Sequence, residues 1–199
     1  MSKKIILVTT ADERSWLRDK PTLFLGEWCR LYDRRHIWEK LDAQVLTYHW
    51  DNRKKYFLDY AYLKEVNEAI LEKLVRALNT KHCTNYSKRY WRILIGPWLF
   101  QFIHVLFDRW ESIQNATDQF EITNSLLIKF PINNLIPFEL SDMIPDSIQW
   151  NHYLYGEIIK FQNNFPWTEI DPIAVEKSQK LSGRYNENIF KKINRMPAK

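Results

Sequence analysis

Gln101, His104, Asp108 and Glu111 recur at steps of three and four in and just after the nearly apolar stretch from Tyr90 to Trp110. That spacing places all four on one stripe of a helix. A helix apolar on its other faces should be buried, so the stripe either forms a polar network inside the protein or lines a wet cleft. Glu27-Trp28 couples a carboxylate able to act as general base on a sugar hydroxyl with an indole able to stack on a sugar face. His49-Trp50-Asp51, with Arg53 close behind, offers a second base, a second stacking ring and an anion-binding cation. Arg89 and Arg92, ahead of the stripe, can clamp a phosphate or carboxylate bidentately.

Plainer roles compete with each of these. Glu27 can be a strand-end ion pair beside a core tryptophan, and His49 a hydrogen-bonded core histidine. Asp51 is well placed as a helix N-cap. Arg89 and Arg92 can pair with acids of a packed helix, or with Asp108 or Glu111. On the functional reading, Glu27, His49 and Asp51 are the catalytic candidates, and Trp28, Trp50, Arg53, Arg89 and Arg92 the substrate-binding ones. The stripe is then a structural network.

Several classes of chemistry leave no trace. There is no glycine-rich phosphate loop and no serine-hydrolase elbow. No ligand cluster argues for a metal, and no cofactor is expected. The run from Ile93 to Phe107 is bounded by Arg92 and Asp108, short of the roughly 20 residues a bilayer span needs. A net charge of +5 allows peripheral contact with anionic lipids. The basic residues are scattered without an RNA- or DNA-binding motif, so nucleic acid is not an expected partner. Cys29 and Cys83 match neither a metal pair nor a disulfide framework and read as reduced thiols. The N-terminus is too short in apolar residues for a secretory signal, which points to the cytoplasm.

The elements that must position these residues follow from periodicity. Lys4 to Thr10, Thr22 to Cys29 and Gln44 to Trp50 are short apolar or β-branched runs separated by stretches of helical character, the pattern of α/β units with a mostly parallel sheet. Ligands of such sheets bind beyond the strands' carboxyl ends, so Glu27, His49 and Asp51 should converge on one crevice. Arg53 to about His82 predicts a long amphipathic helix capped by Asp51 or Asn52. Ser87 to Asn115 predicts the buried helix, kinked at Gly96-Pro97, and the two should form a hairpin on the sheet. Ser125 to Phe130 reads as a fourth strand and Trp150 to Gln162 as a shorter helix. Residues 1–164 thus form an α/β domain, and 165–199, with Pro166, Pro172 and Gly183, have linker character.

Four segments, Thr22-Leu-Phe-Leu-Gly-Glu-Trp-Cys-Arg-Leu-Tyr32, Tyr48-His-Trp-Asp51, Tyr90 to Ser112 and Trp150-Asn-His-Tyr-Leu-Tyr155, resemble a family of transferases assigned to bacterial surface-antigen biosynthesis, that is O-antigen or other surface polysaccharide. The resemblance spans most of the first 160 residues and brings no established catalytic residues with it. It implies one lobe of a two-domain glycosyltransferase, the acceptor-side lobe, with the tail at 165–199 truncated before a nucleotide-sugar domain. The implied partners are a glycan acceptor and, through that C-terminal domain, a nucleotide sugar. A non-catalytic module binding protein or glycan is the alternative.

Overall fold

The computed structural model describes residues 4–131 and 148–171. β1 (Ile5–Val8) is buried along its whole length, as a central parallel strand should be, and β2 (Thr22–Phe24) likewise. β3 (Ala43–Val45), β4 (Ile122–Ile128) and β5 (Thr168–Ile170) complete a five-stranded sheet in the order β3-β2-β1-β4-β5. Every pairing is parallel, with Leu7 beside Leu23 and Ser125, and Phe24 beside Val45. The chain moves outward from β1 through β2 to β3 and then returns to the other side of β1, so the order reverses between β1 and β4. In open parallel sheets that reversal leaves a crevice at the carboxyl ends of the two strands.

Successive residues of a strand face opposite sides. Leu7 and Leu23 face a core built with Ile113 and Ala116 of α3 (Lys88–Gln119) and with Trp150, Leu154 and Ile158 of α4 (Ile148–Gln162). Val8 and Phe24 face a smaller cluster with Trp16 and Cys29, covered in part by Ile37 and Trp38 of α1 (Arg35–Trp38). α2 (Arg53–His82) packs on the N-terminal half of α3 through a third core of Leu63, Leu71, Leu99 and Ile103. The hairpin therefore has an interior of its own, and α3 joins it to the sheet.

The expected α/β architecture with a parallel sheet and long packed helices is present, and several local expectations are corrected. The second and third strands stop at Phe24 and Val45, and Glu27–Cys29 and His49–Asp51 are short 3₁₀ turns. The segments between the first three strands contain only α1 and 3₁₀ turns. Asn52, not Asp51, caps α2, its side chain accepting from the Lys55 N–H. α3 is continuous through Pro97, and it is not buried throughout, since Ile93 (71%), Leu94 (61%) and Trp98 (44%) are exposed. Apolar residues on several faces predict burial all round, but at that end α2 covers only one side of the helix. The linker-like stretch from 165 contributes Phe165 and Trp167 to the main core and β5 to the sheet edge, so the ordered unit continues past residue 164. Among the described residues no helix is long and apolar enough to cross a membrane.

Candidate functional site

Asp108 is the hub of the carboxyl-end region. It is 4% exposed, and its Oδ1 accepts from the Tyr48 hydroxyl at 2.8 Å and from His49 Nε2 at 2.9 Å. Arg109 pairs with its other oxygen. Burial works against the charge, but the His49 hydrogen bond, the Arg109 guanidinium and the Tyr48 hydroxyl outweigh it and hold the carboxyl below its usual pKa. Burial and the adjacent carboxylate push the Tyr48 phenol well up, so it stays a donor. His49 Nε2 is the ring nitrogen that faces Asp108, and Nδ1 is buried with no hydrogen-bond partner among the described residues.

Arg109 extends this hub to α4. Its Nε and Nη2 donate to Asn151 Oδ1 at 3.1 and 2.8 Å, and the guanidinium lies 5.6 Å over the Tyr155 ring. Trp28 stacks parallel on the same tyrosine, with centroids 6.2 Å apart. The turn after β2 and the turn after β3 are thus linked through α3 and α4. Gly26 has a steric reason here, because a side chain at that position would fall inside the Trp28 ring.

A third connection lies where the strand order reverses. His152 Nε2 accepts from the Ile128 N–H at the end of β4, at 2.9 Å, so the ring proton sits on Nδ1 and is donated to Thr9 Oγ1 after β1, at 2.8 Å. Burial drives the ring pKa down to about 4, with Asp12 opposing and Arg14 adding to the shift. A neutral imidazole accordingly latches β1 to β4 and fills part of the crevice.

Two clefts flank the Tyr48–His49–Asp108 hub. One, of about 330 Å³, is walled by the rings of Tyr48, Trp50, Tyr56, Tyr60 and Phe100, with Gln101, His104, Asp108 and Arg109 as its polar groups. His104 Nδ1 donates to the Phe100 carbonyl at 2.7 Å, which leaves Nε2 without a hydrogen-bond partner among the described residues. The other cleft, about 610 Å³, is polar and includes His49, Asp51, Lys55, Glu111 and Asp118. In it Lys55 bridges Asp59 and Glu111 at 2.8 Å each, and Asp59 also accepts from the Trp50 indole. His49, Asp59 and Glu111 hold potential ligand atoms within 4.8 Å of one another. Three elements bring them together, so no spacing in the chain could announce a cluster that the sequence expectation denied.

The expected site residues divide accordingly. His49 and Trp50 come together with the stripe, and Asp108 has the burial and bonding expected of it. The stripe itself splits, Gln101 and His104 going to the aromatic cleft and Glu111 to the polar one. The Glu27 side chain is 74% exposed and bound to Arg30, and Asp51 is exposed beside the polar cleft. Trp28 reaches the hub only through Tyr155. Arg53 lies over the rings of Tyr56 and Phe57. Arg92 pairs with Glu68 of α2, and Arg89 is exposed beside it. At 1.5 Å per residue, Arg92 lies about 24 Å along the axis from Asp108. Arg109, Asn151, His152 and Tyr155 were missed as site residues. The polar Asn-His pair inside the apolar face of α4 is the signal that could have found two of them, Asn151 and His152.

A parallel sheet whose strand order reverses at its centre, with polar side chains gathered at the strands' carboxyl ends, defines a Rossmann-like lobe of the kind found in glycosyltransferases. The chain belongs to the LIC12162 family of transferases, whose family model matches residues 5–199. No curated protein and no solved structure matches it.

Proposed function

We propose that this protein takes part in glycosyl transfer from a nucleotide sugar during bacterial surface polysaccharide assembly, and that the lobe described here holds the glycan acceptor. The aromatic cleft carries the reading. Its volume of about 330 Å³ suits a small sugar unit. Its rings offer faces for the apolar side of a pyranose, while Gln101, His104 Nε2 and Arg109 offer partners for hydroxyl groups. The donor is assigned to another lobe because the β1 end, Thr9-Thr10-Ala11-Asp12, has no glycine to let a backbone approach a pyrophosphate.

Saturation-transfer NMR and calorimetry with a panel of mono- and disaccharides test this on the purified chain. Weak, saturable glycan binding is expected, together with its loss in Trp50→Ala and Tyr60→Ala. Tyr60 is 42% exposed, so its substitution keeps the fold and isolates the cleft. Tight nucleotide-sugar binding, or donor hydrolysis by this lobe, would overturn the acceptor assignment.

A further inference from the structure

The Lys55 bridge between Asp59 and Glu111 would need no further account if it stood alone, since a lysine between two acids is an ordinary ion-pair arrangement. His49 is the part that does not fit. Its side chain is 4% exposed, Asp108 holds Nε2, and Nδ1 is buried with no hydrogen-bond partner among the described residues. Leaving such a group bare is unfavourable unless something engages it. A histidine tied to a carboxylate through one ring nitrogen, with the other free, is also how proteins orient an imidazole toward a metal. A ring nitrogen of His49 lies within 4.8 Å of carboxylate oxygens of both Asp59 and Glu111.

We propose that His49, Asp59 and Glu111 bind a first-row divalent cation of the Mn²⁺ or Zn²⁺ kind in exchange for the Lys55 ammonium, with Asp108 as the positioning residue for His49. One imidazole and two carboxylates suit that class of ion, whereas Mg²⁺ strongly prefers oxygen alone. Bonds of about 2.0–2.2 Å require ligand atoms about 3–3.5 Å apart, so the three groups must close by only about 1–2 Å. Lys55 is free to make room: it is 33% exposed and lines the polar cleft into which its stem can swing. The exchange sets two positive charges in place of one against two carboxylates. The remaining coordination positions would face that cleft, open to water or an anionic group.

Calorimetry with Zn²⁺ and electron paramagnetic resonance with Mn²⁺, on the full chain stripped by chelator, test the site without any appeal to transfer activity. Saturable one-to-one binding is expected in the parent chain. It should tighten at least about tenfold in Lys55→Ala, where the competing cation is gone, and weaken about tenfold in Asp108→Asn, where His49 loses its orientation. Glu111→Gln and His49→Gln should abolish it, and Mg²⁺ should not compete. Added Mn²⁺ should also raise the unfolding midpoint of Lys55→Ala but not that of the Lys55→Ala, Glu111→Gln double variant, which keeps the test meaningful if a single variant is unstable. Binding that survives His49→Gln, Mg²⁺ competing as well as Mn²⁺, or no saturable binding in Lys55→Ala would overturn the proposal.

Discussion

Asp108 and His152 show how differently two buried polar residues can be held. Asp108 stays charged because three donors face it, so Asp108→Ala strands Tyr48, His49 and Arg109 together. A loss of about 3 kcal/mol is expected in urea unfolding, and an unchanged midpoint would mean that the hub is not part of the core. His152 is held neutral, its pKa near 4 against about 6.5 for an unfolded imidazole. Above pH 6.5 both states are neutral and the full stability is present. As pH falls from about 6.5 to about 4 the unfolded chain takes a proton that the folded ring refuses, which removes up to about 3 kcal/mol. The Asp108 contribution, from a lowered carboxyl pKa, disappears only below the ordinary carboxylate range and so falls outside this window. Stability measured between pH 7 and pH 4.5 should therefore decline in the parent chain and decline less in His152→Gln. Parallel curves would remove His152 as the cause.

At the scale of elements, the turn between α2 and α3 decides whether the hairpin can present the aromatic cleft. Asn79 organises it: Oδ1 accepts from the Tyr86 N–H, the Trp91 indole and the Thr84 hydroxyl, while Nδ2 donates to the Tyr86 carbonyl. Asn79→Ala should cost about 1–3 kcal/mol and speed amide exchange in the last turn of α2 and the first of α3, with little change in the sheet. Cys83 ends α2 in the left-handed region, at φ 51° and ψ 43°, where glycine is the favoured residue. Cys83→Gly should accordingly stabilise the chain by about 0.5–1 kcal/mol, and a lower thermal midpoint would argue that the exposed thiol has a role of its own. The ion pair of Arg92 with Glu68 is largely exposed, so its removal should matter little.

For the whole molecule, residues 165–171 are part of the fold. β5 covers the outer edge of β4, Phe165 is 7% exposed, and Glu169 pairs with Lys129 and Lys160. A chain ended at residue 164 should leave β4 as a bare hydrophobic edge and associate at concentrations where the chain ended at residue 171 stays monomeric. Light scattering on the two chains checks this, and equal behaviour would make β5 dispensable. The exposed Ile93, Leu94 and Trp98 are common to both chains, so any association through the hairpin cancels in the comparison.

The sequence by itself determined the elements whose burial pattern is local. Short apolar or β-branched runs mark four of the five parallel strands, β5 lying in a stretch that reads as linker, and repeats at three and four mark α2, α3 and α4, including the stripe that carries the buried Asp108. It also carried the resemblance to a transferase family. Strand ends and caps were less legible, because a 3₁₀ turn such as Glu27–Cys29 differs from a strand end only in how the chain bends after Gly26. Only the tertiary structure decided which side chains meet. His49, Asp59, Asp108 and Glu111 are up to 62 positions apart, and Asn151, His152 and Tyr155 reach the same region from α4. Hydrophobic burial is averaged over a whole face and so leaves a period in the chain, whereas a polar site depends on single hydrogen bonds between distant elements and leaves none.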